Sequence, residues 1–397
     1  MARQDGVNIE KLQGGLGRLA TGTDDHVALI VGNVPAGAVA TAIANGGKGV
    51  VLTAPYDAEV LGINESFDAN NEIRLYADIV EFFRLAPEAT LYLFNSTDEE
   101  DLIAFLNQNK EIKGYGVPFD YVPAEGEDPA NLVSTANAHQ TVINVFAAEN
   151  RLLDFAILGA NELNVFTEDL RALTNPNVSV CVACSDDSGL VNMGAVLGML
   201  AVRKINENVG SVNIQKKPLA KRGTADYPLT DNTLGVWLES FLTDGRSVES
   251  IAKSELNNLN DKGYIVAAGY EGYAGYFYNN SATCIEETSD FAFIENNRTW
   301  NKAARIIRTT LLPEVKGIVK KDPQTGFIAS TTVSRWAQLI NKALERMIID
   351  DEISGYSVFI NPQQIVNSTA AVKVKASVVA DGIVHEFEVA LGLTNNI

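Results

Sequence analysis

The sequence contains little cysteine and little histidine. Its three cysteines, Cys181, Cys184 and Cys284, are too few for a disulfide framework and are typical of a protein in a reducing compartment. Cys181 and Cys184 have C-x-x-C spacing, but no second cysteine pair completes a zinc tetrad, so we expect buried structural thiols. Three histidines in 397 residues leave few candidates for general acid–base catalysis.

Long apolar runs and clustered positive charges are also scarce. The longest apolar run, Leu190 to Val202, is interrupted by Asn192 and is shorter than the roughly 20 residues that span a bilayer. The opening residues lack the apolar region of a signal peptide. The chain has 31 basic and 50 acidic residues, a net charge of −19, which argues against binding to nucleic acid phosphates. We therefore expect no membrane insertion and no nucleic acid partner.

The first half of the chain alternates short apolar strand patterns with helical patterns. Strand candidates include His26–Val31, Thr90–Phe94 and Val178–Cys184. This alternation predicts an α/β domain with a largely parallel sheet and helices on both faces. We expect this outer domain to span residues 26–228, with its boundary in the polar loop of residues 216–228.

Residues 190–205 form the most uniformly apolar helix candidate. Gly194 and Gly198 are four residues apart, which predicts close packing of this helix against a neighbour. Before it, the segment Asp186–Gly189 follows a strand end, where a doubly wound sheet would place a ligand site. Helix capping by Asp187 or Ser188 is the favoured interpretation of that segment.

The last third contains two long amphipathic helix patterns and an alternating segment, and we expect it to form an inner domain over residues 229–391. The apolar positions of the two helices recur at spacings of 3 or 4: Trp300, Ala304, Ile307, Leu311 and Val315, then Val333, Trp336, Leu339, Ile340, Ala343, Met347 and Ile348. Residues 372–391 alternate around Asp381-Gly382, which predicts a hairpin with Val374 opposite Val389. The two helices are therefore expected to pack on a mostly antiparallel sheet.

Both ends of the chain are predicted to be extended arms. Residues 1–25 carry spaced apolar side chains that are too few for a core: Val7, Ile9, Leu12, Leu16 and Leu19. Residues 384–397 are expected to be a C-terminal strand, with Phe387, Val389 and Leu391 on one side, that pairs with another subunit by strand addition.

The order of these elements resembles the C-terminal domain of contractile tail sheath proteins, which coat the tube of myophages and related injection machines. The resemblance covers the last third well and the rest by the order of elements. It is carried by Thr299-Trp300-Asn301-Lys302 through Arg305 and Arg308 to Pro313-Glu314, by Trp336 to Met347, by Ile353 to Val358 and by the final alternating segment. Weaker matches are Ser188-Gly189 with Gly194 and Ala201, and the opening Gly6-Val7 with Gly14 to Arg18.

This resemblance implies a structural protein without catalytic residues, cofactor or metal. It implies stacked rings, usually six-fold, which assemble in the cytoplasm around an inner tube together with baseplate and tail terminator proteins. The product would be a virion tail or a contractile injection particle, and contraction would drive the tube through a target envelope. Arg305 and Arg308 would lie near the inner surface and meet carboxylates of the tube or of adjacent subunits.

Two other functions stay open at this point. One is an α/β enzyme with its site near Asp186–Gly189, and the other is a non-contractile capsid or surface-layer protein. Five tyrosines are concentrated in a glycine-rich stretch and could stack on sugars or bases, although strand packing or a subunit contact is favoured. They are Tyr264, Tyr270, Tyr273, Tyr276 and Tyr278.

Overall fold

The computed structural model describes residues 26–32, 34–96, 98–120, 130–163, 166–366, 371–389 and 391. The predicted N-terminal arm, with Val7, Ile9, Leu12 and Leu16, lies outside the described residues. The first part of the chain contains β1 (His26–Val31), α1 (Ala38–Ala44), β2 (Val50–Leu52), α2 (Pro55–Val60), α3 (Glu65–Asn71), α4 (Leu75–Leu85), β3 (Thr90–Asn95), α5 (Glu99–Gln108), β4 (Gly114–Asp120), α6 (Ala130–Ala148), β5 (Phe155–Asn161), β6 (Thr174–Asn175), β7 (Val178–Cys181), β8 (Ala183–Cys184) and α7 (Met193–Val202).

The second part changes from alternating strands and helices to small strand pairs and two long helices. It contains β9 (Phe241–Leu242), α8 (Lys253–Asp261), β10 (Tyr264–Ile265), β11 (Ala267–Tyr270), β12 (Tyr273–Tyr278), β13 (Cys284–Ile285), α9 (Ile294–Leu311), α10 (Ser330–Ile349), β14 (Gly355–Ile360) and β15 (Val374–Val379).

A seven-stranded sheet with the order β10-β7-β5-β4-β1-β3-β2 organises the first part. All neighbouring strands are parallel except β2, which is antiparallel to β3 at one edge. The parallel strands are apolar on both faces, since every residue of β1 and of β5 is buried. The predicted mixed fold with a largely parallel sheet is confirmed.

The sheet separates two apolar cores. In β1, Leu29 faces the core formed with α4 and α7, whereas Ala28 and Ile30 face the core formed with α5 and α6. This alternation follows from the two-residue period of a strand. Cys181 and Cys184 are buried as free thiols, as predicted, and Cys284 is buried as well. Burial raises the pKa of Cys181 to about 12.

The loop of residues 216–228 does not coincide with a break in the packing. After this loop, Trp237 joins the core of α4 and α7, and its Nε1 donates to Glu81 in α4 at 2.9 Å. Tyr264–Ile265 then adds to the main sheet beside β7. The residues from the predicted boundary up to β13 thus pack as a continuation of the first part of the chain. The first part and this continuation are called here the first body.

The last part has its own apolar core, formed by α9, α10, β14 and β15. Its fully buried side chains include Ile340, Leu344 and Met347 of α10. In this part the predicted hairpin of residues 372–391 is wrong. β15 pairs instead with β14, with Val358 opposite Ala376 and Gly355 opposite Val379. The alternation in β15 is real, because its half-buried residues face the helices, but the partner strand precedes it in the chain.

Candidate functional site

Helix α9 uses a polar face to pack against the first body. Arg298 and Asn301 are buried, and Arg298 Nη1 donates to the Leu200 carbonyl O at 3.1 Å. Trp300, predicted on the buried face, is 50% exposed and packs edge-on against Phe291, with ring centroids 5.9 Å apart. The prediction is wrong for Trp300, because apolar spacing cannot reveal a contact that is made of hydrogen bonds. Ile307 and Leu311 of the same predicted face do pack against the core of the last part.

A buried carboxylate fixes the first turn of α9. Glu295 Oε1 accepts from Asn208 Nδ2 at 2.9 Å, and its other oxygen accepts from the Ser281 hydroxyl. Asn208 Nδ2 also donates to Asn280 Oδ1 at 2.8 Å. Burial raises the pKa of Glu295, while these hydrogen bonds lower it. The network connects α9 to the segment after β12 and to the loop after α7.

The middle of α9 is held by an ion pair with the start of β5. Arg305 Nη1 lies 2.9 Å from Asp154 Oδ1, and the same carboxylate oxygen accepts from Asn301 Nδ2 at 2.9 Å. Asp154 is 1% exposed. Arg305 therefore has a partner within the chain, whereas Arg308, one turn on, is exposed. Asp154 was missed by the sequence analysis, since nothing in its neighbourhood indicates that α9 would cover it.

The C-terminal segment is apolar and exposed. Residues 380–389 belong to no strand in the described part of the chain. The exposed fractions of Phe387, Val389 and Leu391 are 81%, 79% and 91%. The carboxylate of Asp381, predicted to lie in a turn, accepts from Asn206 Nδ2 at 2.6 Å and from Ser354 Oγ at 2.5 Å. Beyond that anchor the segment offers exposed apolar side chains in an alternating pattern.

The segment Asp186–Gly189 is engaged in structural hydrogen bonds. Asp186 Oδ2 lies 2.6 Å from Arg74 Nη1, and its Oδ1 accepts from the Ser188 amide at 3.1 Å. Helix α7 begins at Met193, and its cap is Asn192, whose side chain accepts from the Ala195 amide at 2.9 Å. The predicted start at residue 190 and the predicted cap at Asp187 or Ser188 are wrong.

Arg74 also pairs with a second carboxylate that the sequence analysis missed. Its Nε lies 3.4 Å from Asp78 Oδ1, and that oxygen accepts from the Gly194 amide at 3.1 Å. Burial raises the pKa of Asp78 to about 7, although Arg74 acts in the opposite direction. A signal was present, because Asp78 falls in the apolar stripe of α4 with Leu75 and Phe82.

The described ranges contain neither a metal-binding cluster nor a membrane-spanning helix. No group of three or more His, Cys, Asp or Glu residues there is arranged to hold a metal ion. No helix among the described residues combines the length and the apolar character needed to cross a membrane. The features that stand out are the bonded face of α9 and the exposed C-terminal segment.

Comparisons with known proteins give a family and a fold. Two family models match consecutively: DUF2586, N-terminal domain, over residues 4–282, and DUF2586, C-terminal domain, over residues 290–397. No curated protein matches the chain. The division between the two models lies just before α9, later than the predicted boundary.

Solved structures of contractile particles share this fold. A chain in the 6-fold symmetrised cryo-EM structure of the anti-feeding prophage (AFP) baseplate has a TM-score of 0.57 and 14% identity, and the match covers 100% of both chains. A chain in the AFP baseplate in its contracted state has a TM-score of 0.55 and 11% identity, covering 98% of this chain and 97% of that one. A sheath tail protein from Desulfitobacterium hafniense has a TM-score of 0.38 and 8% identity, covering 74% and 63%. The first two show that this fold is shared with chains of a contractile particle, which confirms the predicted likeness at the level of the fold.

Proposed function

The chain belongs to the DUF2586 family, and from its shared fold with AFP baseplate chains we propose that it is a structural subunit of a contractile tail sheath. Copies of the chain stack as rings, six subunits to a ring, around an inner tube. Contraction of the stack drives the tube through a target envelope. Its partners are other copies of itself, the tube protein, and the baseplate and tail terminator proteins, and assembly takes place in the cytoplasm.

One observation carries this proposal. The match to a chain of the 6-fold AFP baseplate extends over 100% of both chains, so both parts of the fold described here have a counterpart in that chain. The proposal therefore rests on an analogy of fold that covers both parts of the chain. Asp186 is also hydrogen-bonded to Arg74 and Ser188. These bonds favour a structural role for the segment Asp186–Gly189 over the alternative of an enzyme site.

The buried contacts of α9 support a subunit that rotates as one rigid body. A contracting sheath needs bodies that keep their shape while their mutual contacts change. The Arg305–Asp154 pair and the Glu295 cluster join the last part of the chain to the first by buried hydrogen bonds. Breaking such buried bonds costs more than breaking exposed ones, so the two parts move together. We propose an outer domain up to about residue 282 and an inner domain from residue 290.

The exposed C-terminal segment supports flexible links between subunits. Phe387, Val389 and Leu391 are exposed in the isolated chain and alternate as one face of a strand would. We propose that this segment pairs with residues of a neighbour's N-terminal arm, where Val7, Ile9, Leu12 and Leu16 are separated by polar residues or glycine. Strand pairing is made by the backbone, and it therefore survives a rotation of the bodies.

Contact with the tube is proposed for the exposed side of α9. Arg308 is exposed there, whereas Arg305 is held by Asp154. At a charge of −19 per subunit, a ring accumulates repulsion, and a cation facing carboxylates of the tube or of an adjacent subunit reduces it. Arg308 is therefore the stronger candidate of the two predicted inner-surface residues.

Electron microscopy of the purified chain tests the proposal. The protein is examined by negative staining alone and after mixing with a tube protein from the same particle. Rings or tubes of defined bore are expected, with a hollow wide enough for the tube. Closed shells or flat sheets would favour a capsid or surface-layer protein. A protein that stays monomeric and does not bind tubes at any concentration would contradict the proposal.

A second candidate is a subunit of the baseplate itself. The AFP structures that contain chains of this fold are structures of baseplates. A subunit in that position would form a single ring. The same microscopy separates the two, because a sheath subunit adds ring upon ring while a baseplate subunit stops after the first.

A further inference from the structure

Two tyrosines and a loop remain without a role in the proposed function. Of the five tyrosines of the glycine-rich stretch, Tyr264, Tyr276 and Tyr278 are buried, but Tyr270 and Tyr273 are 52% and 47% exposed. Both rings flank Phe277, with centroids 5.9 and 6.1 Å away. The hairpin β11–β12 thus presents aromatic side chains to the outside.

These rings line a groove of about 820 Å³ between the hairpin and the segment around α8. Its apolar lining includes the exposed Leu238, and its charged lining consists of Glu249, Glu271 and Lys253. We call it the aromatic groove. Tyr273 is held at its rim, because its hydroxyl donates to Asp226 Oδ2 at 3.2 Å. The groove is therefore apolar inside with an excess of carboxylates around it.

The loop between α9 and α10 has the complementary character. Residues 312–321, called here the basic loop, expose Leu312, Val315 and Ile318 at 55%, 63% and 100%. Val315 had been predicted on the buried face of α9, but the helix ends at Leu311 and the exposed side chains follow it. The basic loop also carries three exposed lysines, and within the described residues none of their ammonium groups has a carboxylate partner: Lys316, Lys320 and Lys321.

The basic loop and the aromatic groove lie at opposite ends of α9. The groove reaches Asn279, and the nearby Ser281 carbonyl O accepts from Ile294 N, the first residue of α9, at 3.0 Å. An α-helix of 18 residues is about 27 Å long, and the basic loop begins only after its last residue. A surface and its complement at two ends of one subunit join copies head to tail, which closes a ring or builds a helix.

We propose that the basic loop of one subunit binds in the aromatic groove of the next. Ile318 and Val315 enter between Tyr270 and Tyr273, and the lysines of the loop face Glu249 and Glu271. Burial of the apolar side chains supplies affinity, and the charges select the register. This contact rests on the proposed function, since it joins identical subunits in a polymer.

Charge reversal tests the pairing. Lys316→Glu with Lys320→Glu, and separately Glu271→Lys, are expected to raise the concentration needed for polymerisation about tenfold, since like charges then face each other. Combining the three substitutions restores most of the loss. Lys48→Glu, a reversal of one exposed lysine outside the loop, is the control and leaves assembly unchanged. All these side chains are exposed, so thermal melting of every monomer should match the wild type.

Cysteine pairs separate this contact from the proposed function as a whole. The native cysteines are buried, so Ile318→Cys with Tyr273→Cys introduces two accessible thiols. Mild oxidation is expected to give a ladder of covalent oligomers. Ile318→Cys with Tyr56→Cys is the control, because Tyr56 is also exposed, at 68%, but lies in α2.

Each outcome decides one of the two proposals. Wild-type polymers without the ladder, or reversal variants that polymerise like the wild type, overturn the contact and leave the sheath function intact. A ladder without rings or tubes supports the contact and overturns the sheath function. Wild-type polymers, a ladder from the Ile318→Cys and Tyr273→Cys pair, and rescue by the triple variant would together establish the loop-in-groove contact.

Discussion

A Cβ atom on Gly194 of α7 would lie 1.9 Å from the carbonyl oxygen of Asp78 in α4. One turn on, a Cβ on Gly198 would lie 3.0 Å from the carbonyl oxygen of Phe82. Real Cβ atoms essentially never lie less than 3.0 Å from a backbone atom, so the methyl group of an alanine does not fit at position 194, and at position 198 it is at the lower limit of allowed contacts. Glycine at these positions, above all at 194, therefore lets α4 and α7 pack closely. This confirms the close packing that the glycine spacing predicts.

Replacing Gly194 by alanine should destabilise the chain strongly. The methyl group meets backbone, which cannot move aside as a side chain can, so we expect a loss of about 3 kcal/mol or more in the free energy of unfolding. Gly198→Ala should cost less, because its contact is longer. Gly37→Ala is the control, since a Cβ there meets nothing within 4 Å. Urea unfolding measures all three, and equal effects at positions 37 and 194 would contradict the packing argument.

Removal of Arg305 should leave a buried charge without its partner. Asp154 is 1% exposed and would retain only the hydrogen bond from Asn301 among the α9 contacts described above. Breaking a buried pair costs about 3–5 kcal/mol, and partial access of water to Arg305 lowers the expected loss to about 2–4 kcal/mol. Arg308→Ala, an exposed arginine on the same helix, should stay within about 0.5 kcal/mol of the wild type.

A second substitution shows whether the buried charge causes that loss. In the Arg305→Ala background, Asp154→Asn removes the uncompensated charge and should recover part of the stability in urea unfolding. No recovery would mean that Arg305 acts through its packing and its bond to the Leu152 carbonyl O at 3.1 Å.

Much of the first part of the fold could be predicted from the sequence. A strand buried on both faces, such as β1, reads as a continuous apolar run, and this signal survives whatever its neighbours are. The apolar segment containing Gly194 and Gly198 was likewise recognisable as a buried helix. The exact start of α7 was not, because Asp187, Ser188 and Asn192 can all cap a helix, and only tertiary contacts decide among them.

The last part was harder to predict because its contacts are polar or its strand partner is distant. Asp381-Gly382 is a strong local signal for a hairpin turn. In the structure, however, the Asp381 side chain is hydrogen-bonded to Asn206 and Ser354, and no hairpin forms around it in the described residues. Along α9, the Arg298 and Asn301 side chains are buried and hydrogen-bonded, and the spacing of apolar residues does not predict such contacts. The assembly surfaces could be only partly predicted, since exposure is decided by the whole fold.

The buried Asp78 predicts a pH dependence of stability. Its pKa is raised from 3.8 to about 7 by burial; Arg74 and the Gly194 amide lower it, and Asp68 and Glu81 raise it further. The folded state therefore holds this proton more tightly than the unfolded state. The resulting contribution to stability is present below about pH 4 and is lost as the pH rises to about 7.

Comparison with Asp78→Asn isolates this contribution from other groups. Asparagine can keep the bond to the Gly194 amide but does not titrate. The wild type minus variant difference in unfolding free energy should fall between pH 4 and 7, by at most about 1.4 kcal/mol per pH unit, and level off above 7. A difference that is constant over this range would show that Asp78 stays ionised when folded.

The C-terminal segment should matter for assembly and not for the stability of the monomer. Phe387 and Val389 are 81% and 79% exposed, so their side chains contribute little to the fold of the isolated chain. Proline at either position removes a backbone donor that strand pairing with a neighbour needs. We expect Phe387→Pro and Val389→Pro to melt like the wild type but to form no rings or tubes.

Two further variants test whether the proline effect comes from the loss of backbone pairing between subunits. Val389→Thr keeps the amide and a β-branched side chain, so it should assemble nearly as well as the wild type. Deletion of residues 1–19 should abolish assembly with unchanged melting if that arm is the partner strand. Sedimentation and thermal melting measure both properties. Loss of the main melting transition in the proline variants would mean that the segment belongs to the monomer fold, and unimpaired polymerisation would mean that it links no subunits.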